Sequence, residues 1–319
     1  MRKRWGALTV MRNRGAAAWL VAIRPQSLLV AFSPVLVGAT LGFARDGAID
    51  AMAALLVLGA ALLVQVVTNL QNDVGYTVRG GETTGTRSGL PRATANGWLS
   101  VRQVRAGILV AGLAATAIGV ALVAWRGWPV LAIGTASLVA ALAYMGGPRP
   151  IAYTPFGELT VFVFFGLVAV PGTDWVLTGH VGNASLLAAV EIGALAAAAL
   201  AVNNHRDIAH DRLVGRRTFA VTFGARASLH LYTALLLGPF VLVPLMPLMA
   251  GQTGQMALAL ALPFMLPLLL LPAAVQLRRD FARCAPGQAF NAILFRTFRL
   301  ELWFAALLSA SALLARLAA

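Results

Sequence analysis

Long apolar runs dominate the hydrophobic pattern of this chain, and short polar segments separate them. Each run approaches the roughly 20 mostly apolar residues that a membrane-spanning helix requires. Proline and glycine inside several runs do not argue against helices, because membrane helices tolerate both. The pattern predicts an all-α integral membrane bundle of about nine transmembrane helices, at residues 26–44, 51–71, 104–124, 129–146, 158–178, 185–204, 228–249, 254–275 and 299–318.

Composition supports a membrane protein with one domain. The 319 residues are 59% hydrophobic and 11% charged, whereas soluble domains carry about 25% charged residues. The net charge of +14 would suit a nucleic-acid binder. Here the basic residues lie in short segments between apolar runs, so we expect a lipid bilayer and no nucleic acid as partner. Residues 1–25 form a basic N-terminal segment without the features of a cleavable signal peptide, and residues 26–319 form a single transmembrane domain.

The basic residues also predict an orientation. Only three of the 25 lysines and arginines lie opposite the N-terminal side: Arg45, Arg126 and Arg316. Because cytoplasmic loops are enriched in lysine and arginine, we expect a cytoplasmic N-terminus, an external C-terminus and a location in the inner (cytoplasmic) membrane. Four polar residues on the external side are expected to be solvated: Asp46, Asp50, Asp174 and His180.

Two polar segments on the predicted cytoplasmic side, residues 72–103 and 203–227, begin with asparagine-rich acidic clusters. In the second cluster, Asn203, Asp207 and Asp211 are spaced by four, so they share one face of a helix. Such a column of hard oxygen ligands suits Mg²⁺, which commonly binds one or two carboxylates, water and substrate phosphate. We therefore predict these three residues as metal ligands.

The first cluster contains Asp73 and Glu82, which we also predict as metal ligands. They are nine residues apart and would lie on opposite faces of an unbroken helix. Because glycine tolerates unusual backbone angles, Gly80 and Gly81 can turn the chain and bring Glu82 back towards Asp73.

Arginines follow both acidic clusters, and Arg87 and Arg206 are the best candidates for binding phosphate through a planar guanidinium. Alternatively, these arginines only reflect the positive-inside bias. An allylic diphosphate that ionises here would need its departing charge stabilised, which makes Asp73, Asp207 and Asp211 catalytic candidates. Further predicted substrate-binding residues, for the diphosphate or an acceptor, are Asn72, Tyr76, Arg149, Asn203 and Asn204. Arg24 is a second candidate for an acceptor carboxylate, and Glu158 has either a site role or a helix-capping role.

The two clusters resemble those of the UbiA-type intramembrane prenyltransferase superfamily, and in particular the 1,4-dihydroxy-2-naphthoate polyprenyltransferases of menaquinone biosynthesis. The second motif carries most of the resemblance: Asn203-Asn204-x-Arg206-Asp207-x-x-x-Asp211-Arg212-x-x-Gly215-x-x-Thr218-x-Ala220-Val221. The first motif matches at Asn72, Asp73, Gly80, Glu82, Arg87 and Gly89, and the Gly147-Pro148-x-Pro150 turn with Gly157-Glu158 also fits.

This resemblance implies a helical bundle with a central cavity, a lateral opening for a lipid tail, and two Mg²⁺-binding motifs at the cytoplasmic side. It also implies transfer of a polyprenyl group from its diphosphate to an aromatic acceptor, which in the naphthoate branch loses its carboxylate. One departure is Tyr76, where the family usually has a further aspartate.

Three alternatives remain open from the sequence. The acceptor could be 4-hydroxybenzoate or another aromatic compound. A secondary transporter would also place carboxylates in the membrane, but transporter sites usually lie near the bilayer midplane between internal repeats. The altered Tyr76 is also compatible with a catalytically silent paralogue.

Overall fold

The computed structural model describes residues 14–81, 88–251 and 261–318. Within them, nine helices are long and apolar enough to cross a membrane, which confirms the predicted number. We number them α1 (Gly15–Asp46), α2 (Ala51–Val78), α3 (Val101–Arg126), α4 (Trp128–Met145), α5 (Gly157–Thr178), α6 (Asn183–Arg206), α7 (Phe219–Met249), α8 (Leu262–Arg283) and α9 (Phe290–Ala318). No strand occurs in these three ranges.

Several helices extend beyond the apolar runs that predicted them. Helix α9 begins at Phe290 rather than residue 299, and α7 begins at Phe219 rather than residue 228. Hydropathy detects only the part of a helix that matches the bilayer core, whereas its polar first turns continue at the end of the bundle. Residues 252–260, at the start of the eighth predicted span, lie outside the described residues, as do residues 1–13.

Local sequence signals set several helix ends. Asp50 caps α2, because its carboxylate accepts hydrogen bonds from the backbone N–H groups of Met52 and Ala53 at 2.8 and 3.0 Å. Gly127 has φ 77° and separates α3 from α4, at the turn where the sequence predicts the division. Inside α1, Arg24 has φ 56° and joins a first helical part to the remainder.

Helix α6 forms the centre of the bundle. About 78% of the residues in its most apolar stretch are buried, compared with 17% for α2 and α3, and it packs against α5, α7 and α9. Small residues permit this close packing. A Cβ atom on Gly193 of α6 would lie 2.6 Å from the Phe162 carbonyl oxygen of α5 and 2.9 Å from the Gly166 Cα atom. At this crossing α5 is π-helical over Phe162–Val168.

The other end of the bundle, away from the two acidic clusters, holds a buried ion pair. The Asp174 carboxylate is fully buried and accepts hydrogen bonds from two Arg45 nitrogens, both at 3.0 Å. It also accepts hydrogen bonds from Ser185 Oγ at 2.6 Å and from the Gly182 N–H at 3.0 Å. The prediction that Asp174 is a solvated loop residue is therefore wrong, because it ties the end of α5 to α1 and to the start of α6.

Candidate active site

The two acidic clusters meet at one end of the bundle, although about 130 residues separate them in sequence. Arg216 connects them, because its Nη1 donates hydrogen bonds to the Tyr76 hydroxyl and, at 2.6 Å, to Asp211 Oδ1. His210 Nε2 lies 2.7 Å from the Gly81 carbonyl oxygen and adds a second connection. Residues from both predicted motifs therefore belong to one buried polar cluster.

The second motif lies where α6 ends. Arg206 is the last helical residue, Asp207 has φ −98° and ψ 10°, and a short helix, Ile208–Leu213, follows. Asp211 continues the spacing of four, since its N–H donates to the Asp207 carbonyl oxygen at 2.7 Å. Asp207 forms a two-point ion pair with Arg206, at 2.9 and 2.7 Å. The remaining Arg206 Nη1 donates to Asn291 Oδ1 of α9 at 2.7 Å.

Asp73, in the first motif, holds the loop that follows α2. It is fully buried, and its two carboxylate oxygens accept hydrogen bonds from the N–H groups of Ala93 and Thr94, both at 2.8 Å. The Thr94 hydroxyl donates a third bond at 2.5 Å. Neighbouring Asn72 accepts a bond from Arg92 Nη1 at its backbone oxygen, at 2.9 Å. Glu82 and Arg87 lie outside the described residues.

Tyr76 lies between two arginines. The Arg92 guanidinium carbon is 3.6 Å from the centre of the Tyr76 ring, and that of Arg216 is 5.0 Å away. A cation over an aromatic face is attracted by the ring quadrupole. Burial lowers the pKa of Arg216 to about 9, so its guanidinium is charged at neutral pH and Asp211 offsets part of its desolvation cost.

The turn between α4 and α5, together with the start of α5, contributes one buried contact and one exposed residue. Asn204 Nδ2 donates to Glu158 Oε1 at 2.9 Å, so Glu158 joins α5 to the end of α6. Arg149 is exposed on the turn between α4 and α5. The carbonyl oxygens of this turn instead receive Arg79, whose Nη1 donates to Met145 at 2.9 Å.

A cavity of about 600 Å³ opens beside this cluster. Polar side chains from α1, α2 and α6 line one end of it, among them Arg24, Asn69, Asn72, Asn203 and Arg206. Most other lining residues are aliphatic or aromatic, including Phe164, Phe165 and Phe298. Helix α4 packs on α2 and α3, and its contact with α5 is confined mainly to the Ala169–Thr178 part of α5. Residues of both α4 and α5 line the cavity, among them Leu138 and Val168.

Several residues at this site carry no distinguishing sequence signal. Asn69 Nδ2 donates to the Ile23 carbonyl oxygen at 2.7 Å and to Ser27 Oγ at 2.8 Å. These bonds hold the bend at Arg24, and only the position of Asn69 inside an apolar span could have indicated its role. In the sequence, Arg92 and Arg216 cannot be told apart from the other arginines that follow the motifs. What distinguishes them is their shared partner Tyr76, which is distant in sequence from Arg216.

The chemistry of the donor groups decides which metal ion fits. Within the described residues, no group of three or more His, Cys, Asp or Glu side chains could hold a metal ion. Mg²⁺ does not require such a group, because it retains water and often binds substrate phosphate. Asp207 and Asp211 provide carboxylates one helical turn apart and fit such an ion. The carboxylates of both motifs already accept hydrogen bonds: Asp207 from Arg206, Asp211 from Arg216, and Asp73 from two backbone N–H groups and a hydroxyl. A metal ion would therefore share or replace these contacts.

Comparisons with known proteins agree with this architecture. The 1,4-dihydroxy-2-naphthoate octaprenyltransferase of Escherichia coli (strain K12) is 34% identical over 235 residues, covering 72% of this chain and 75% of that protein. The protein of the same name from Mycobacterium leprae (strain TN) is 33% identical over 253 residues, covering 79% and 85%. The solved structure of a UbiA homolog from Archaeoglobus fulgidus bound to GPP and Mg²⁺ has a TM-score of 0.66 at 17% identity, covering 92% of this chain and 99% of that one.

The pattern of the UbiA prenyltransferase family matches residues 31–298. Together with relatives above 30% identity over most of their length, this match places the chain in the UbiA prenyltransferase family, and the protein is a membrane-embedded transferase of the UbiA type.

Proposed function

We propose that the protein transfers a polyprenyl group from its diphosphate to 1,4-dihydroxy-2-naphthoate, in menaquinone biosynthesis. The observation that carries this proposal is the apolar cavity, whose polar end is formed by residues of both acidic motifs. An apolar chamber accommodates a polyprenyl chain and keeps water from a reactive allylic cation. The relatives named for this naphthoate reaction support the choice of acceptor.

The diphosphate would bind at the polar end, where Asn72, Asn203 and Arg206 line the cavity. Asp207 and Asp211 would hold Mg²⁺, which supplies stabilisation for the negative charge of the departing diphosphate. Arg206 is positioned by Asp207 and by Asn291 of α9, so its guanidinium needs little reorganisation to meet a phosphate oxygen. The prenyl chain would extend along the cavity, past residues of α4 and α5 that line it.

Arg24 is our candidate for binding the acceptor carboxylate. Its backbone is in the left-handed region at φ 56°, and its side chain lines the polar end of the cavity. A non-glycine residue rarely adopts this conformation unless its surroundings impose it. Here the Ser27 N–H and Oγ donate to the Arg24 carbonyl oxygen, both at 2.9 Å. Arg149, by contrast, lies on an exposed turn.

The reaction balances without a catalytic base if the new bond forms at the ring carbon that carries the carboxylate. The bond between prenyl carbon 1 and the diphosphate oxygen breaks, and its electron pair leaves with the diphosphate. The acceptor ring forms a carbon–carbon bond to the prenyl group, and the carboxylate leaves as CO₂ in place of a proton. The products are a prenylated naphthoquinol, CO₂ and diphosphate.

We propose the inner (cytoplasmic) membrane as the location, with the active-site end and the N-terminus in the cytoplasm and the C-terminus outside. The excess of arginine at the active-site end supports this orientation. Cysteine labelling of residue 318 and of exposed Gly97 with an impermeant maleimide, in intact cells and inverted vesicles, tests it.

An assay with membranes that contain the protein tests the proposed reaction. Mg²⁺ and a long-chain prenyl diphosphate are supplied with either 1,4-dihydroxy-2-naphthoate or 4-hydroxybenzoate, and the products are analysed by mass. A prenylated, decarboxylated naphthoquinol is the expected product. A prenylated hydroxybenzoate would keep the reaction class and refute the acceptor. Folded protein without product, beside an active control enzyme, would favour a silent paralogue or another acceptor.

A further inference from the structure

Gln65 marks the point on α2 where the cavity wall changes from aliphatic to polar. It lines the cavity one helical turn from Asn69, on the side away from the first acidic motif, and it is only 8% exposed. The lining residues of α2 that precede it are all aliphatic: Val57, Ala60, Ala61 and Val64. A polar group in an apolar wall is unfavourable unless it forms hydrogen bonds. The partners of Gln65 therefore indicate what this part of the cavity can bind.

The hydrogen bonds of Asn69 decide which way the Gln65 amide faces. Asn69 Nδ2 donates to the Ile23 carbonyl oxygen at 2.7 Å, and only the nitrogen of an amide can donate to a carbonyl oxygen. Asn69 Oδ1 therefore faces Gln65 and requires a donor, which Gln65 Nε2 supplies at 3.1 Å. With its nitrogen engaged in this way, Gln65 has its oxygen left as an acceptor.

Gln65 Oε1 accepts no hydrogen bond from the part of the chain that the structure describes. Buried polar groups are nearly always hydrogen-bonded, and a buried carbonyl oxygen without a donor is destabilising. The cavity wall covers this oxygen. Because the terminal torsion of a glutamine is broad, the amide can turn Oε1 towards the cavity. A ligand that donates a hydrogen bond would then satisfy it.

A chain of hydrogen bonds connects Gln65 to Arg24, our candidate for the acceptor carboxylate. Asn69 Nδ2 also donates to Ser27 Oγ at 2.8 Å, and Ser27 Oγ donates to the Arg24 carbonyl oxygen at 2.9 Å. The side chains of Arg24 and Gln65 both line the cavity. A ligand whose carboxylate binds Arg24 would therefore have its remaining polar groups close to this wall.

The proposed acceptor carries one hydroxyl that suits Gln65. In 1,4-dihydroxy-2-naphthoate the 1-hydroxyl lies beside the carboxylate and donates a hydrogen bond to it within the molecule. The 4-hydroxyl lies across the ring and remains free to donate. Gln65 Oε1 is an acceptor that needs such a donor, so the two groups are complementary.

We propose that Gln65 binds the 4-hydroxyl of the acceptor while Arg24 binds its carboxylate. Two contacts at different positions of one rigid ring fix the orientation of that ring, and with it the carbon that receives the prenyl group. The inference rests on the proposed function, because it assumes a naphthoate acceptor. It goes further by naming a residue that selects acceptors according to their hydroxyl groups.

Binding of two naphthoates tests this role without relying on turnover. Purified protein in detergent is titrated anaerobically by calorimetry with 1,4-dihydroxy-2-naphthoate and with 1-hydroxy-2-naphthoate, which lacks the 4-hydroxyl. We expect the dihydroxy compound to bind about tenfold more tightly, because a site built for a hydroxyl rejects an analogue without it. Equal affinities would overturn the role of Gln65 and leave the proposed function intact. Failure of folded protein to bind either compound would overturn the proposed acceptor itself.

A substitution and a matched control assign the difference to one side chain. Gln65→Met, which keeps the length of the side chain and removes the amide, should make the two affinities nearly equal. Thr68→Val is the control, because Thr68 lines the same cavity and its hydroxyl already donates to the Val64 carbonyl oxygen at 3.0 Å. The difference should persist in this variant. A difference that persists in Gln65→Met, or that disappears in Thr68→Val, would overturn the assignment to Gln65.

A third ligand tests the direction of the hydrogen bond with the unaltered protein. In 4-fluoro-1-hydroxy-2-naphthoate, fluorine replaces the 4-hydroxyl with an atom of similar size that donates no hydrogen bond. We expect this compound to bind about as weakly as 1-hydroxy-2-naphthoate. Binding as tight as that of the dihydroxy compound would show that no donor is required, and it would overturn the proposed contact with Gln65 Oε1 even if Gln65→Met did not fold.

Discussion

Two carboxylates share the Arg45 guanidinium, and they differ mainly in burial. Asp174 is fully enclosed, whereas the Asp46 side chain is 28% exposed. Asp174 also accepts hydrogen bonds from the buried Ser185 hydroxyl and the Gly182 N–H. Asp46 accepts bonds from Arg45 at 2.8 and 3.2 Å. Replacing each by alanine therefore separates a buried ion pair from an exposed one around the same arginine.

The expected losses of unfolding free energy follow from these contacts. Asp174→Ala leaves the Ser185 hydroxyl and the Gly182 N–H without their acceptor, and each unsatisfied buried donor costs about 1–3 kcal/mol. Arg45 is partly exposed and keeps Asp46 as a partner, so it adds little. We expect a loss of about 3 kcal/mol, within the range for breaking buried ion pairs. Asp46→Ala should cost about 0–1 kcal/mol, as an exposed pair does.

Unfolding in mixed micelles with increasing dodecyl sulfate, followed by circular dichroism, measures both values. Asp174 lies at the opposite end of the bundle from the cavity's polar residues, so Asp174→Ala should retain prenyl transfer below its unfolding temperature. Equal losses for the two variants, or a loss below about 1 kcal/mol for Asp174→Ala, would refute the claim that burial makes this contact important.

Three further predictions concern the site and the helix crossing beside it. Asp207→Asn should lower kcat, measured below the melting temperature, by about 100-fold or more, and should also lower the melting temperature because it weakens the buried ion pair with Arg206. Asp280→Asn, in a partly exposed pair with Arg296, should leave kcat unchanged. Arg24→Gln should raise KM for the naphthoate by about tenfold or more and leave KM for the prenyl diphosphate unaltered. Gly193→Val should destabilise the protein by about 1–3 kcal/mol, because it forces α5 away from α6; Gly112→Val, with open space around its Cβ, should not. Retained kcat in Asp207→Asn would refute the first prediction, and a shift in both KM values in Arg24→Gln would refute the second. Equal melting temperatures of the Gly193→Val and Gly112→Val variants would refute the third.

The sequence was sufficient to predict the fold class and the number of membrane helices, because a bilayer restricts spanning segments to long apolar helices. It did not reveal where polar helix ends extend, as in α9, which begins at Phe290. It also failed for Asp174, because a polar residue near a span end looks solvated until its partner Arg45, 129 residues away, is known.

The candidate site was predictable only where residues lie close together along the chain. Local spacing predicted that Asn203, Asp207 and Asp211 follow one another at intervals of one helical turn, and the Asp211 N–H does donate to the Asp207 carbonyl oxygen. The contacts of Arg216 with Tyr76 and Asp211 join segments that the sequence cannot align in space. The hydrogen bonds of Asp73 to Ala93 and Thr94 were equally hidden, since they depend on how the following loop folds back.

The π-helical turn at Phe162–Val168 bears on how this helix can change length during evolution. A π-helical turn is equivalent to one inserted residue in an α-helix, and each residue advances an α-helix by about 100°. Deletion of one residue here would restore a regular helix and rotate the preceding turn, including Thr160, around the axis. Homologues that differ by a single residue in this span would therefore present a different set of side chains to the prenyl chain while keeping the same number of membrane crossings.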